Sequence, residues 1–152
     1  MKINPGIPAP HGGTRSIAAT AVTMLAAAMF STQAYAQLPA VQHEVTVEYV
    51  SGGIGQNEST AFKQAMSSYP LAMTFASRIG DRNAYASDVQ VAIRDARDRN
   101  VLDVTSKGPY LLVKLPPGKY RVSATYENKT RSQEVSIGAE GTSRVVFEWN
   151  EP

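Results

Sequence analysis

Cysteine is absent from this 152-residue chain. That excludes disulfide frameworks, thiolate zinc centres, cysteine nucleophiles and a lipid anchor carried on an N-terminal cysteine. Histidine is almost as scarce: His11 and His43 are the two present, and His43 alone follows residue 36. One histidine cannot build a histidine-rich zinc site, and no nucleophile-elbow sequence stands ready to pair with it. His43 reads as ordinary surface. Long apolar runs are missing too. The longest, Ile17 to Phe30, is about 14 residues, against the roughly 20 that a spanning helix needs. No block of like charge and no basic-aromatic patch occurs, so a nucleic-acid role is not expected.

What is there begins with an export signal. Lys2 and Arg15 supply a positive n-region before an alanine-rich apolar run, and Ala34-Tyr35-Ala36 forms a small-x-small cleavage site before Gln37. The expectation is a signal peptide over 1–36 cut between Ala36 and Gln37, with an uncleaved N-terminal anchor as the alternative. Loss of Lys2 and Arg15 leaves thirteen of the fifteen basic side chains against thirteen acidic ones. The mature chain is therefore neutral, and the alkaline isoelectric point carries no message about acidic partners. A periplasmic or secreted location follows, with no stable membrane insertion of the mature part. About 116 residues remain, enough for one domain that buries roughly two-thirds of its unfolded surface.

Periodicity organises that domain. Residues 37–43 read as a loose tail and 44–152 as one domain. Val45, Val47 and Tyr49 alternate along a strand from Glu44 to Val50, which Gly52-Gly53-Ile54-Gly55 breaks. Asn57 then caps a helix to about Ser68, with Ala61, Phe62, Ala65, Met66 and Tyr69 at helical spacing. Pro70 ends it. Seven strands follow, at Leu71–Ser77, Asp88–Asp95, Val101–Ser106, Tyr110–Leu115, Tyr120–Glu127, Thr130–Ile137 and Arg144–Trp149. Turns every 8 to 12 residues or so argue for a mainly β, immunoglobulin-like antiparallel β-sandwich with its core in 71–149. The first strand and helix are expected as an N-terminal addition, and Arg78 to Ser87 as a polar loop.

Leu115-Pro116-Pro117-Gly118-Lys119-Tyr120 is the most telling stretch. Two prolines and a glycine stop one strand and turn the chain. Tyr120, Val122, Ala124 and Tyr126 then alternate with polar residues along the next. With Asp95–Asn100, Gly108-Pro109-Tyr110 and the closing Phe147-Glu148-Trp149, this pattern resembles the carboxypeptidase regulatory-like (transthyretin-like, prealbumin-like) domains, and the whole is similar to small exported bacterial proteins of that kind. The resemblance covers roughly Leu71 to Trp149. It implies a sandwich fold and a bacterial source, and it implies no activity. Simple alternation would bury Leu111, Val113 and Leu115, whereas the family pattern buries Tyr110, Leu112 and Leu115 with a bulge between; the second register is preferred here.

Candidate chemistry is thin. The urate-pathway hydrolase on transthyretin-like folds relies on several histidines and a terminal Tyr-Arg-Gly-Ser, but this chain ends Trp149-Asn150-Glu151-Pro152. Gly52–Gly55 could aim amides at an anion but lacks the ending of a phosphate loop, so a tight connection is preferred. Asp95, Asp98 and Asp103 suggest calcium only superficially, because Arg97 and Arg99 flank Asp98. Tyr49, Tyr120, Tyr126 and Trp149 sit on apolar faces and read as core, while Tyr85 reads as exposed. No catalytic residue, cofactor or metal ligand is assigned. The expectation is a non-enzymatic envelope module that contacts a protein through loops or an open sheet edge. The alternative is a carbohydrate or small-ligand binder, and either would use Arg78, Asp81, Arg82 and Tyr85.

Overall fold

The computed structural model describes Gly6, Gly12 and residues 37–44 and 47–151. The export segment and its cleavage position lie outside them. Among the described residues no helix is long and apolar enough to cross a membrane.

Ten strands, one α-helix and a 3-10 turn are formed by the described residues after position 37. In chain order they are β1 (Gln42–Glu44), β2 (Val47–Gly52), α1 (Gln56–Ala65) with the 3-10 turn Met66–Ser68, β3 (Leu71–Ile79), β4 (Arg82–Tyr85), β5 (Val89–Asp95), β6 (Asn100–Ser106), β7 (Tyr110–Val113), β8 (Gly118–Tyr126), β9 (Lys129–Ile137) and β10 (Ser143–Glu151). One sheet runs β1-β2-β7-β3-β10 with β4 also on β3, and the other runs β6-β5-β8-β9. The mainly β sandwich expected from strand spacing is the observed fold.

Alternation does the sorting. Leu71, Met73, Phe75, Val145, Phe147 and Trp149 of the first sheet meet Val89, Val91, Ile93, Val122 and Ala124 of the second in one buried cluster. Between them, on β9 and β10, the sandwich is tied shut by side-chain bonds to backbone. Gln133 Nε2 donates to the Val146 carbonyl (2.9 Å), Ser143 Oγ to that of Ser136 (2.7 Å), and Trp149 Nε1 to that of Lys129 (2.8 Å).

Several expectations give way to non-local pairing. β2 is no appendage: Tyr49 to Gly52 pair with β7, placing it inside the first sheet. The β3–β10 ladder is parallel along its nine residue pairs, while the other ladders are antiparallel. Arg78 to Ser87 is not a loop; β3 continues to Ile79 and returns as β4, with Ala76 opposite Tyr85 and Ile79 opposite Arg82. The strand from Tyr110 carries no bulge in its ladders to β2 and β3. Leu111, Val113 and Leu115 enter the sandwich, and Tyr110 and Leu112 enter a second small core with Val50, Phe62, Met66, Tyr69 and Ala72. Helix α1 covers that outer face, so β7 is buried on both sides and simple alternation holds. The preferred bulged register is therefore corrected.

Asn57 does not cap the helix. Gly55 does, without a side-chain bond, and Glu58 at the third helical position reaches back instead, accepting from the Gly53 N–H at 2.6 Å. The bond ties the loop before the helix to its first turn, two residues ahead of the N-cap. Gly53 itself has φ near +99°, and a Cβ there would run into the Tyr110 ring. The β6–β7 connection passes equally close: a Cβ on Gly108 would collide with the backbone of Gly52. Ser106 Oγ donates to the Gly108 carbonyl (2.8 Å) and Lys107 N–H to Ser51 Oγ (3.2 Å), fixing the crossing between sheets.

Candidate functional site

Four residues were singled out by sequence, and the hairpin β3–β4 gathers them only in part. Cross-strand partners share a face. Ala76, Arg78, Asn83 and Tyr85 therefore point to the face that carries α1, whereas Ser77, Ile79, Ala84 and Arg82 point the other way. Arg78 and Tyr85 are diagonal neighbours on one face. Arg82 lies on the opposite face, and Asp81 sits in the turn with Gly80. All four are exposed.

Tyr85 is held from one side only. Its ring lies 5.7 Å from that of Tyr110 at 53°, and Tyr110 in turn stacks on Phe62 at 5.7 Å and 19°. The outer half of Tyr85 remains in water, with 57% of the residue exposed. Ser59 Oγ donates to the Tyr110 hydroxyl across 3.4 Å. The neighbouring Tyr110 hydroxyl pushes the Tyr85 phenol above its ordinary pKa, partly opposed by the positive charge of Lys63 on α1. Tyr85 stays neutral at physiological pH and can donate its proton in a hydrogen bond. Arg78, Arg82 and Lys63 form no ion pair among the described residues. Sequence reasoning missed Lys63, because nothing local in it signals that α1 lies beside the hairpin.

Ile79 is also exposed, at 58%, on the face opposite Tyr85. The hairpin overhangs the sandwich there: Ser77 is still buried and Ile79 is not. Each face of the overhang thus offers one large apolar side chain beside an arginine.

Other candidates are already committed elsewhere. The Gly53 amide, the donor an anion would need in the glycine loop, is taken by Glu58. A cleft of about 370 Å³ lies between the β5–β6 turn, the start of β8 and the end of β9. Its carboxylates are paired locally: Asp95 with Arg99 (2.7 Å), Asp98 with Arg94 (3.3 Å) and Glu134 with Arg121 (3.3 Å). Asp95 Oδ1 also accepts from the backbone of Arg97 and Arg99, at 2.9 and 3.0 Å. The Arg99 guanidinium bonded to Asp95 holds its carboxyl below the usual carboxylate range. This carboxylate builds the turn, and Asp98 tolerates the left-handed φ of 62° there. Tyr49 is half-buried against the core, its hydroxyl donating to Gln42 Oε1 (3.0 Å), and Tyr120, Tyr126 and Trp149 pack in or against the core.

No protein-family model matches this chain, and no curated protein matches it. Solved structures similar to it include S.CueP, with 9% identity, a TM-score of 0.37 and coverage of 49% of this chain and 59% of that one. Another is a variant of BcpA, the major pilin subunit of Bacillus cereus, with 14% identity, a TM-score of 0.39 and coverage of 53% and 30%. This chain spans less than two thirds of either protein's length. At these values neither similarity says what the chain does.

Proposed function

We propose that this chain is an exported, non-enzymatic β-sandwich module that acts through protein–protein contact in the cell envelope, with the β3–β4 hairpin as its contact surface. The observation that carries the reading is the hairpin itself. Tyr85 and Ile79 stand exposed on opposite faces, and around them are Arg78, Arg82 and Lys63, which form no ion pair among the described residues. Tyrosine and arginine are enriched in the energetically dominant parts of interfaces, and an overhanging hairpin is accessible on both faces. Export rests on the residue pattern of 1–36, and the non-enzymatic reading on the sequence, which has no cysteine, a single histidine after residue 36 and no nucleophile-elbow pattern.

A second reading has one observation of its own. The exposed half of the Tyr85 ring, with a hydroxyl at its edge, is a stacking surface for a sugar ring. Both are tested by placing a photo-crosslinking phenylalanine derivative at position 85 and, as a control, at Glu140 in the far loop, in protein exported to a bacterial periplasm. A discrete protein adduct at 85 and none at 140 supports the contact module. A glycan adduct alone supports the sugar reading. Adducts that are equal at both positions, or turnover of any substrate that an active-site variant abolishes, would overturn the proposal.

A further inference from the structure

The first sheet has a vacant place beside β4. Along β3, one edge is occupied over its whole length by β10. The other edge is shared: β7 pairs with Leu71 to Thr74, and β4 pairs with Ala76 to Ile79. β7 is flanked in turn by β2, up to Gly52 opposite Tyr110. There the chain leaves the sheet. Gly53 and Gly55 have φ of +99° and +86°, and α1 begins at Gln56. So the column that β2 fills beside β7 has no strand in it beside β4, and among the described residues β4 pairs with β3 alone. An edge strand left this way presents backbone donors and acceptors to any chain that fits.

We infer that this vacant edge takes an extended, acidic polypeptide segment, which adds antiparallel to β4 in line with β2. This rests on the proposed contact function and specifies its partner. Alternate side chains of an added strand would fall on the two faces of the overhang. On one face they meet Tyr85 with Arg78 and Lys63 close by; on the other they meet Ile79 and Arg82. The cations nearest the vacant column are Arg78, Arg82 and Lys63. Of the acidic residues, Asp81 sits at the turn, Glu58 is committed to the Gly53 N–H, and Glu148 and Glu151 stand on β10 opposite Ala76 and Ile79, so across β3 from the vacant column. Charge complementarity therefore selects a segment in which acidic residues alternate with apolar ones.

The test uses the chain from Gln37 onwards and a blocked, alternating Glu/Val peptide of about six residues, long enough to span so short a strand. Its Lys/Val counterpart serves as control. The Glu/Val peptide is expected to slow amide exchange at Arg82 to Tyr85. The Lys/Val peptide is not. Reversing two charges, Arg78→Glu with Arg82→Glu, should weaken binding about tenfold and flatten its salt dependence. Both arginines are exposed, so the double variant should fold. A test independent of the protein's fold is N-methylation of the peptide. Blocking the amides on one edge should abolish binding, and blocking those on the other should leave it intact.

The inference is overturned by equal binding of the two peptides, by no binding, by protection elsewhere, by indifference to which edge is methylated, or by self-association through β4. If the position-85 crosslink still captures a protein while the peptide fails, the contact module stands and strand addition falls. If both fail, both fall.

Discussion

Replacing Trp149 with alanine tests the core assignment most severely. Trp149 is the only tryptophan in the chain and is 1% exposed. Its ring lies 5.5 Å from Tyr126, 6.2 Å from Phe147 and 6.4 Å from Phe75, and its indole N–H donates to the Lys129 carbonyl. Burial of a large aromatic removes about 150–250 Å² from water, which at about 25 cal/mol per Å² is worth roughly 4–6 kcal/mol as an upper bound. Measured aromatic-to-alanine costs of about 3–5 kcal/mol in cores agree. For a domain of this size that lowers the melting temperature by roughly 12–20 °C. Because the substitution removes the fluorophore, unfolding in urea should be followed by far-ultraviolet circular dichroism. Trp149→Phe keeps much of the packing and loses the bond to Lys129, so it should cost about 1–2 kcal/mol. A loss below about 1 kcal/mol for the alanine variant would refute the reasoning and return Trp149 to the surface.

Three further outcomes follow from local geometry. Gly108→Ala should destabilise the domain by about 1–3 kcal/mol or more, since its Cβ would meet the Gly52 backbone, which has no side-chain freedom to yield; an unchanged urea midpoint would show that the β6–β7 crossing is looser than described. Glu58→Ala should cost about 1 kcal/mol by leaving the Gly53 N–H without its acceptor, while Asn57→Ala, which removes no cap, should be near neutral; the reverse order in thermal melts would restore Asn57 as the cap. Asp95 has a folded pKa below its unfolded one, so its stabilising contribution is present above about pH 4 and is lost as pH falls through the folded value. Asp95→Asn should therefore flatten the acid limb of stability against pH, and an identical limb in both proteins would remove Asp95 from the set of acid-sensitive groups.

The legible parts of this fold are those where one face is wet and the other dry. β5, β8 and the second half of β10 alternate because the four-stranded sheet and the sandwich edge have solvent on their outer faces. β4 was illegible for the opposite reason: Arg82, Asn83, Ala84 and Tyr85 are exposed on both faces, so no periodicity marks them. β7 misled because α1 dries its outer face, which turns an alternating strand into four consecutive buried residues. Parallel pairing of β3 with β10, and insertion of β2 beside β7, join segments about 60 residues or more apart. Such choices are decided by closing the core, a property no short window of sequence contains.

The same contrast locates the candidate site. Residues that stabilise the sandwich could be read from period and size, since burial selects for both. Arg78, Asp81, Arg82 and Tyr85 attracted notice as a polar stretch with one aromatic, but their relation depends on a hairpin that the stretch itself does not announce. Once paired, Arg78 and Tyr85 share a face and Arg82 leaves it. The proposal that the hairpin is a contact surface rests on what surrounds it: a supporting Tyr110–Phe62 stack beneath Tyr85, a lysine from α1, and an edge beside which the chain has turned away at Gly53. Stability elsewhere does not require those exposed side chains. Substituting Tyr85, Arg78 and Arg82 should then leave the free energy of unfolding in urea within about 0.5 kcal/mol per change, and a larger loss would mean that the hairpin serves the fold rather than a partner.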